Sequence, residues 1–308
     1  MIYLFTHTDL DGVGCAVLTK LFFADEPCIT YCDYGNIDYK VKTLLDNAEI
    51  LQPEDKIFIT DISISKELAK KIEESDIKCE IKLLDHHATS EPLNKFQWCK
   101  VRTTDEEDND LTCGTKMFYD YLVHRYGNLY KDSLCDFVYF VRQWDTWAWE
   151  NTGERGRVAK YMNDLLDIRG RDGFINHFVH QFQTKGYCYY DETDKMLLEM
   201  HQREIQEYIQ EKSRQMLNLH IAEYSVGIVF ADRFISELGN QLCELHPEID
   251  FVAIIDIANQ KVSYRTIRDD INLGAFAQHY GGGGHPKAAG AQFTEDVLRE
   301  TIKKIFLD

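Results

Sequence analysis

Residues 2–14 read Ile2-Tyr3-Leu4-Phe5-Thr6-His7-Thr8-Asp9-Leu10-Asp11-Gly12-Val13-Gly14, a short β-prone run, a polar turn holding two acids and a histidine, and the start of a helical pattern. The same order recurs three times. Residues 28–33, 56–60 and 80–84 are strand-like and rich in Ile, Leu and Phe. Residues 12–24, 39–48 and 66–75 between them carry apolar side chains at three- and four-residue spacing. Such alternation implies right-handed crossovers and a parallel sheet. In an open parallel sheet, ligands bind outside the carboxyl ends of the strands. The first strand ends in His7-Thr8-Asp9-Leu10-Asp11, the third in Thr60-Asp61 and the fourth in Asp85-His86-His87, so three acidic clusters are expected at one edge.

Carboxylates crowded in this way repel one another, and burial and like charge raise their pKa values unless a cation sits among them. The acids and an imidazole point to two divalent ions. A donor set of carboxylate and imidazole without thiolate favours Mn²⁺, with Mg²⁺, Co²⁺ or Fe²⁺ as other fits. Paired metals about 3.5–4 Å apart serve in-line phosphoryl chemistry. A single DxD at a strand end is more often a turn or cap; three clusters at one edge are what favour metal.

The net charge of −18 bears on the substrate. Long nucleic acids need a basic track, so a nucleic-acid substrate here should be short, gripped by a few local cations. The apolar fraction of 44% suffices for a real core. No apolar run is long enough to span a bilayer, and the start lacks the basic region of a signal peptide, so a soluble cytoplasmic protein is expected. The nine cysteines form no CxxC pair and read as reduced, mostly buried thiols.

Further on, residues 115–126, 133–147, 157–168 and 171–183 read as helices, and 191–217 as one long polar helix. Residues 224–231, 249–257 and 261–267 look like strands, 235–244 and 273–280 like helices, and a helix closes the chain from residue 295. Ser65, Asp110 and Thr112 are candidate N-caps. The acidic run 105–110 reads as a solvated loop.

Together, HTDLDG (7–12), TDIS (60–63), LLDHH (83–87) and GGGGHPKAAG (281–290) resemble the DHH phosphoesterase superfamily, in the branch with a glycine-rich DHH-associated second domain. RecJ-type nucleases, nanoRNases and cyclic-dinucleotide phosphodiesterases share that layout. HTDLDGVGC and RQWDTW (142–147) look most like the nanoRNase B-like members. The resemblance covers roughly 1–150 and 220–308. It implies an α/β fold: a parallel-sheet DHH catalytic domain with a helical extension (1–190), a helical connector (191–217) and a smaller α/β substrate-binding domain (218–308) across a cleft.

The resemblance also implies roles. His7 and Asp9 would bind the first metal, Asp11, His86 and Asp145 the second, and Asp61 would bridge them. Many members place the first histidine four residues before the first aspartate, where this chain has Phe5; His7 stands two before it. Asp85 would be a catalytic residue as the support or partner of His86, and His87 would touch the phosphate and act as general acid. In the second domain, Arg265 matches a phosphate-reading arginine. Gly282, Gly283 and Gly284 would let backbone N–H groups approach an anion, with His285 and Lys287 beside them.

Other residues read as structural. Trp144, Trp147 and Trp149 suit core packing better than base stacking. His177 and His180 lack an acidic partner at helical spacing and suit a surface face. Asp33 opens a turn through Asn36. The expected function is Mn²⁺-dependent hydrolysis of short oligonucleotides to mononucleotides. The alternatives are a cyclic or linear dinucleotide, 3′-phosphoadenosine phosphate, more weakly pyrophosphate, or a non-catalytic nucleotide-binding module. No membrane partner is expected, and a homodimer fits.

Overall fold

A computed structural model describes residues 1–46, 51–127, 131–184 and 191–306. It divides into two compact units, Met1–Leu198 and Glu199–Asp308. The helix Glu192–Gln215 (named α7 below) belongs partly to each.

The first unit runs β1 (Ile2–Thr6), α1 (Leu10–Phe22), β2 (Cys28–Tyr31), α2 (Ile37–Asp46), β3 (Lys56–Thr60), α3 (Lys66–Glu73), β4 (Glu80–Asp85) and β5 (Cys99–Val101). Helices α4 (Gly114–Tyr126), α5 (Lys131–Asp145) and α6 (Gly153–Thr184) follow, then α7 (Glu192–Gln215). The five strands form one parallel sheet in the order β2-β1-β3-β4-β5. Alternate residues along each strand face opposite sides. Leu4 and Phe58 pack with α1, α4, α5 and α6, whereas Tyr3, Phe5, Ile57 and Ile59 pack with α2 and α3. Both faces are covered, which is why these strands read as nearly unbroken apolar runs. The register aligns Thr6 with Thr60 and Thr60 with Leu84, so the residues that follow emerge side by side.

The second unit carries a mixed sheet in the order β10-β11-β9-β8-β7-β6. Its strands are β6 (Leu217–Ile221), β7 (Tyr224–Phe230), β8 (Phe251–Asp256), β9 (Lys261–Arg265), β10 (Gly283–Gly284) and β11 (Ala288–Gln292), with helices α8 (Ile235–Leu245), α9 (Leu273–Gln278) and α10 (Glu295–Phe306). Only β7 and β8 pair in parallel; the other pairings are antiparallel. Leu238 and Leu242 of α8 pack with Ile205 and Ile209 of α7, and Leu273 and Ala277 of α9 pack with Phe251 and Tyr264.

Several expectations need correction. Strands β5, β6, β10 and β11 carry little sequence signal, and Leu217 begins a strand rather than ending a helix. The expected break between helices 157–168 and 171–183 is present, at Gly170 within Gly153–Thr184, where a φ of 64° favours glycine. Ser65 caps α3 through Leu68 N–H, but α4 is capped by Cys113 rather than Thr112 or Asp110. The acidic loop is partly structural: Asp105 is buried and lies 3.1 Å from Lys116 Nζ, and Asp108 takes both ends of the Arg142 guanidinium at 2.8 Å. His177 does have an acidic partner, Asp194 on α7, at 3.0 Å. Trp144 and Trp149 pack against the core, but Trp147 is 52% exposed with a left-handed φ of 60°. Six of the eight described cysteines are buried, Cys28 and Cys135 are exposed, and all eight are free thiols. Among the described residues no helix is long and apolar enough to cross a membrane.

Candidate metal centre

The carboxyl edge of the first sheet is drawn together by hydroxyls. Thr6 Oγ1 lies 3.1 Å from both Gly12 O and Thr60 O, and Thr60 Oγ1 donates to it at 3.0 Å. The start of α1 is thereby held against the ends of β1 and β3. Asp9 is the N-cap of α1, its Oδ1 accepting Gly12 N–H at 3.1 Å, while Oδ2 pairs with His7 Nδ1 at 2.7 Å. One turn into the helix, Asp11 is 1% exposed.

Asp11 is held from a distant part of the chain. Backbone N–H groups of Gly114 and Thr115, at the start of α4, donate to its two carboxylate oxygens at 2.5 and 2.7 Å. A helix N-terminus suits an anion because its first N–H groups have no partner within the helix. Gly114 permits this approach: a Cβ there would fall 2.6 Å from Asp61 Cβ and 2.9 Å from Asp11 Oδ2. Gly114→Ala should therefore push α4 off both acids and lower turnover at least about tenfold, with overpacking costing about 1–3 kcal/mol of stability. Steady-state kinetics with a urea melt would check both; wild-type kinetics would show that this contact is dispensable.

Asp61 follows β3 with φ of 58°, a conformation uncommon for a residue with a side chain, though least so for Asp and Asn. Its N–H bonds to Leu84 O at 3.0 Å, which turns the carboxyl inward. His86 Nε2 lies 3.2 Å from Asp61 Oδ1, 3.6 Å from Asp145 Oδ2 and 3.7 Å from Asp11 Oδ2. His7 Nδ1 lies 4.0 Å from Asp61 Oδ2. Ligand-type atoms of His7, Asp9 and Asp61 fall within 4.8 Å of one another, as do those of Asp11, His86 and Asp145. The two triads lie side by side, Asp61 of the first 3.2 Å from His86 of the second, and Asp61, Asp85, His86 and His87 form a further such group.

Asp85 is fully buried and its acceptor capacity is used locally. Oδ1 accepts His87 Nδ1 at 2.7 Å and His86 N–H at 2.8 Å, and Oδ2 accepts Ser63 Oγ at 2.5 Å. It fixes the orientation of His87 and leaves Nε2 as that ring's remaining nitrogen.

The electrostatics separate these acids into two kinds. Burial, the largest single influence, pushes Asp85 and Asp9 upward, but the hydrogen bonds and charge of His87 and His7, together with Ser63 Oγ and Gly12 N–H, outweigh it and leave both below the ordinary carboxylate range. Those bonds raise the two histidines in turn. Asp61 goes the other way, driven well up by burial and then by Asp11, Asp9 and Asp145. Burial, then Asp11, Asp9 and Asp85, push Asp145 up to about 9. Asp61 Oδ2 is buried with no hydrogen-bond partner among the described residues. Buried oxygens of this kind are rare unless something outside the chain satisfies them. An all-oxygen-and-imidazole donor set with uncompensated charge is what hard or borderline divalent cations require, so these clusters can hold metal.

Tyr34 carried no sequence signal beyond its turn. That turn is tightly tied: Gly35 N–H donates to Asp33 Oδ1 at 2.8 Å, Asp33 N–H to Asn36 Oδ1 at 3.0 Å, and Asn36 Nδ2 to Asp33 Oδ2. The Tyr34 ring, 61% exposed, lies 5.9 Å from the ring of His7 and stands edge-on to His87 at 5.8 Å. Burial of the hydroxyl, then Asp85, Asp61, Asp9 and Asp145, push it up to about 12, so it remains a neutral donor.

In the second unit, Arg265 is half-buried with no carboxylate in ion-pair range among the described residues. Nη1 donates to Tyr264 O at 2.9 Å, and Nη2 reaches Ser236 Oγ at 3.3 Å. The glycine run is more ordered than a flexible loop. Gly282 N–H is spent on Ala277 O, and a Cβ on Gly282 or Gly284 would strike β11, whereas Gly283 has open space. His285 is exposed, and Lys287 pairs with Asp269 at 2.7 Å.

Comparison with known proteins fits this picture. Residues 1–140 match the model of the DHH family N-terminal domain and residues 231–306 that of the DHHA1 domain. Oligoribonuclease NrnB of Bacillus subtilis is 34% identical over 307 residues, spanning 99% of this chain and 76% of the relative. A 3′,5′-cyclic-nucleotide phosphodiesterase of Helicobacter pylori is 25% identical over 202 residues, 60% of this chain and 53% of the relative. Among solved structures, RecJ of Thermus thermophilus in complex with Mn²⁺ superimposes with a TM-score of 0.58 at 14% identity, covering 99% of this chain and 51% of RecJ.

Proposed function

The chain belongs to the DHH family of phosphodiesterase hydrolases, and on that premise we propose that it cleaves short oligonucleotides to mononucleotides with two divalent metal ions, Mn²⁺ foremost. The observation that carries the reading is the placing of two ligand triads side by side, Asp61 of one 3.2 Å from His86 of the other, next to an Asp85-bound His87. His7, Asp9 and Asp61 would hold one ion, and Asp11, His86 and Asp145 with Asp61 the other. Such a pair supplies water activation and charge neutralisation at a phosphate. RecJ of Thermus thermophilus was solved in complex with Mn²⁺ and also with Mg²⁺, which supports a divalent ion here.

The residues themselves carry the remaining work. His87, its Nδ1 engaged by Asp85 and its pKa raised above the ordinary value by that bond, would act as general acid, delivering a proton from Nε2 to the departing nucleoside oxygen. Asp85 positions His87 and does not meet substrate. In the second unit, Arg265, with no ion-pair partner among the described residues, would bind a phosphate, joined by His285 and the glycine turn around Gly283. The charge of −18 favours a short substrate, since a long polymer is held through many phosphate contacts with cationic side chains.

The test is a Mn²⁺ assay across labelled di- to decanucleotides, cyclic nucleotides and pyrophosphate. Turnover should fall with length; a preference for the longest strands would overturn the short-substrate reading. Cyclic nucleotides belong in the panel because the Helicobacter pylori relative is named for them. Arg265→Ala should raise KM about tenfold while kcat changes less, as expected for loss of one charge-assisted contact of about 1.5–3 kcal/mol. An unchanged KM would remove Arg265 from the binding site.

A further inference from the structure

We propose that a cavity beside the candidate metal centre, walled by Tyr34, Ser63, Lys66, Thr89 and Ser90, holds one nucleoside of the substrate with its base against the Tyr34 ring. The inference rests on the phosphodiesterase reading and adds to it a place for the base. These residues follow β2, β3 and β4, and so share the carboxyl edge of the sheet with the acids. Two contacts tie the cavity to that centre: Ser63 Oγ donates to Asp85, and the Tyr34 ring meets His87 edge-on.

Size, lining and rigidity all point to a nucleoside. The volume of about 310 Å³ sits at the small end of ligand pockets, roughly 300–1,000 Å³. It suits one nucleoside. Its floor includes apolar Leu93, while the hydroxyls of Tyr34, Thr89 and Ser90 have no hydrogen-bond partner among the described residues. A lining that combines apolar side chains with unengaged hydroxyls matches a base carrying a sugar. Lys66 has no carboxylate in ion-pair range among the described residues, so a cation is also free for phosphate. The Tyr34 turn is already fixed by its Asp33 and Asn36 hydrogen bonds, so presenting the ring to a ligand costs little further ordering. Aromatic stacking tolerates any base, as a scavenger of mixed short fragments requires.

The test compares wild type, Tyr34→Phe, Tyr34→Ala and Ser90→Leu on a dinucleotide and on two dinucleotides made abasic at one or the other position, all in Mn²⁺. Tyr34→Ala should lose about tenfold or more in kcat/KM on the intact dinucleotide, and Tyr34→Phe should stay within about threefold. On one abasic dinucleotide, wild type and Tyr34→Ala should become equal, because the base that Tyr34 would stack is gone. Ser90→Leu, which fills the cavity from another element, should raise KM on the intact dinucleotide. Tyr34→Ala at wild-type rates, or equally impaired on all three substrates, would overturn the cavity assignment, the second outcome marking Tyr34 as a support for His7 and His87. A wild type inactive on every dinucleotide would instead remove the oligonucleotide reading, and the cavity's nucleoside with it.

Discussion

Asp61→Asn should abolish turnover while making the metal-free protein harder to unfold. The substitution keeps the shape of a side chain held at φ of 58°, a position that Asn tolerates as Asp does. It removes the charge that burial and the neighbouring Asp11, Asp9 and Asp145 disfavour. In the absence of metal that removal relieves repulsion, so the melting temperature should rise. In its presence the shared ligand is lost. Partners one shell out from a metal already cost about 10–100-fold when removed, so losing a carboxylate that belongs to one triad and lies 3.2 Å from His86 of the other should cost about 10³-fold or more. Kinetics in Mn²⁺ beside a melt in chelator would measure the two effects. Activity near wild type would sink the two-metal arrangement, and a lower metal-free melting temperature would show that the repulsion is already compensated within the chain.

Much of this centre could be read from sequence because its parts sit at strand ends. His7, Asp9, Asp11, Asp61, Asp85, His86 and His87 each follow a recognisable strand, and parallel pairing brings such ends together whatever the loops do. Asp145 was reached only through the family motif around it, since nothing in its helical spacing points to β1. What stayed hidden depends on contacts between distant segments. Gly114 and Thr115 hold Asp11 across roughly a hundred residues, and a glycine before a threonine carries no mark of that approach. Tyr34 sits in a turn that composition foretold, but its neighbours His7 and His87 belong to other strands. In the second unit β11 is Ala288-Ala289-Gly290-Ala291-Gln292, small residues without strand propensity that pair because β9 and β10 flank them. The partner of His177 is hidden from sequence for the same reason, Asp194 lying one helix further on.

Metal binding should also reverse the pH dependence of the catalytic unit's stability, with Asp145 as the reporter. In the folded, metal-free protein its carboxyl is pushed up to about 9, against an ordinary value of 3.8. Between those values the folded state holds a proton that the unfolded state has released. The stability linked to that proton is complete below about pH 4 and is lost as pH climbs toward 9, so metal-free melting temperatures should fall over this window. Mn²⁺ needs the ionised carboxylates, so its effect should grow over the same window. At a hundredfold excess over Kd, binding to the folded state alone contributes about 2.7 kcal/mol, or about 5–10 °C for a unit of roughly 200 residues. Asp145→Asn should flatten the metal-free slope and shrink the Mn²⁺ shift at pH 8, whereas a distant surface Asp→Asn control should leave both unchanged. The measurement is a set of thermal melts from pH 5 to 9 in chelator and in Mn²⁺. A Mn²⁺ shift that is absent, or equal at both ends of the range, would show that these acids do not form the metal centre, since no ion could bind them without first displacing their protons.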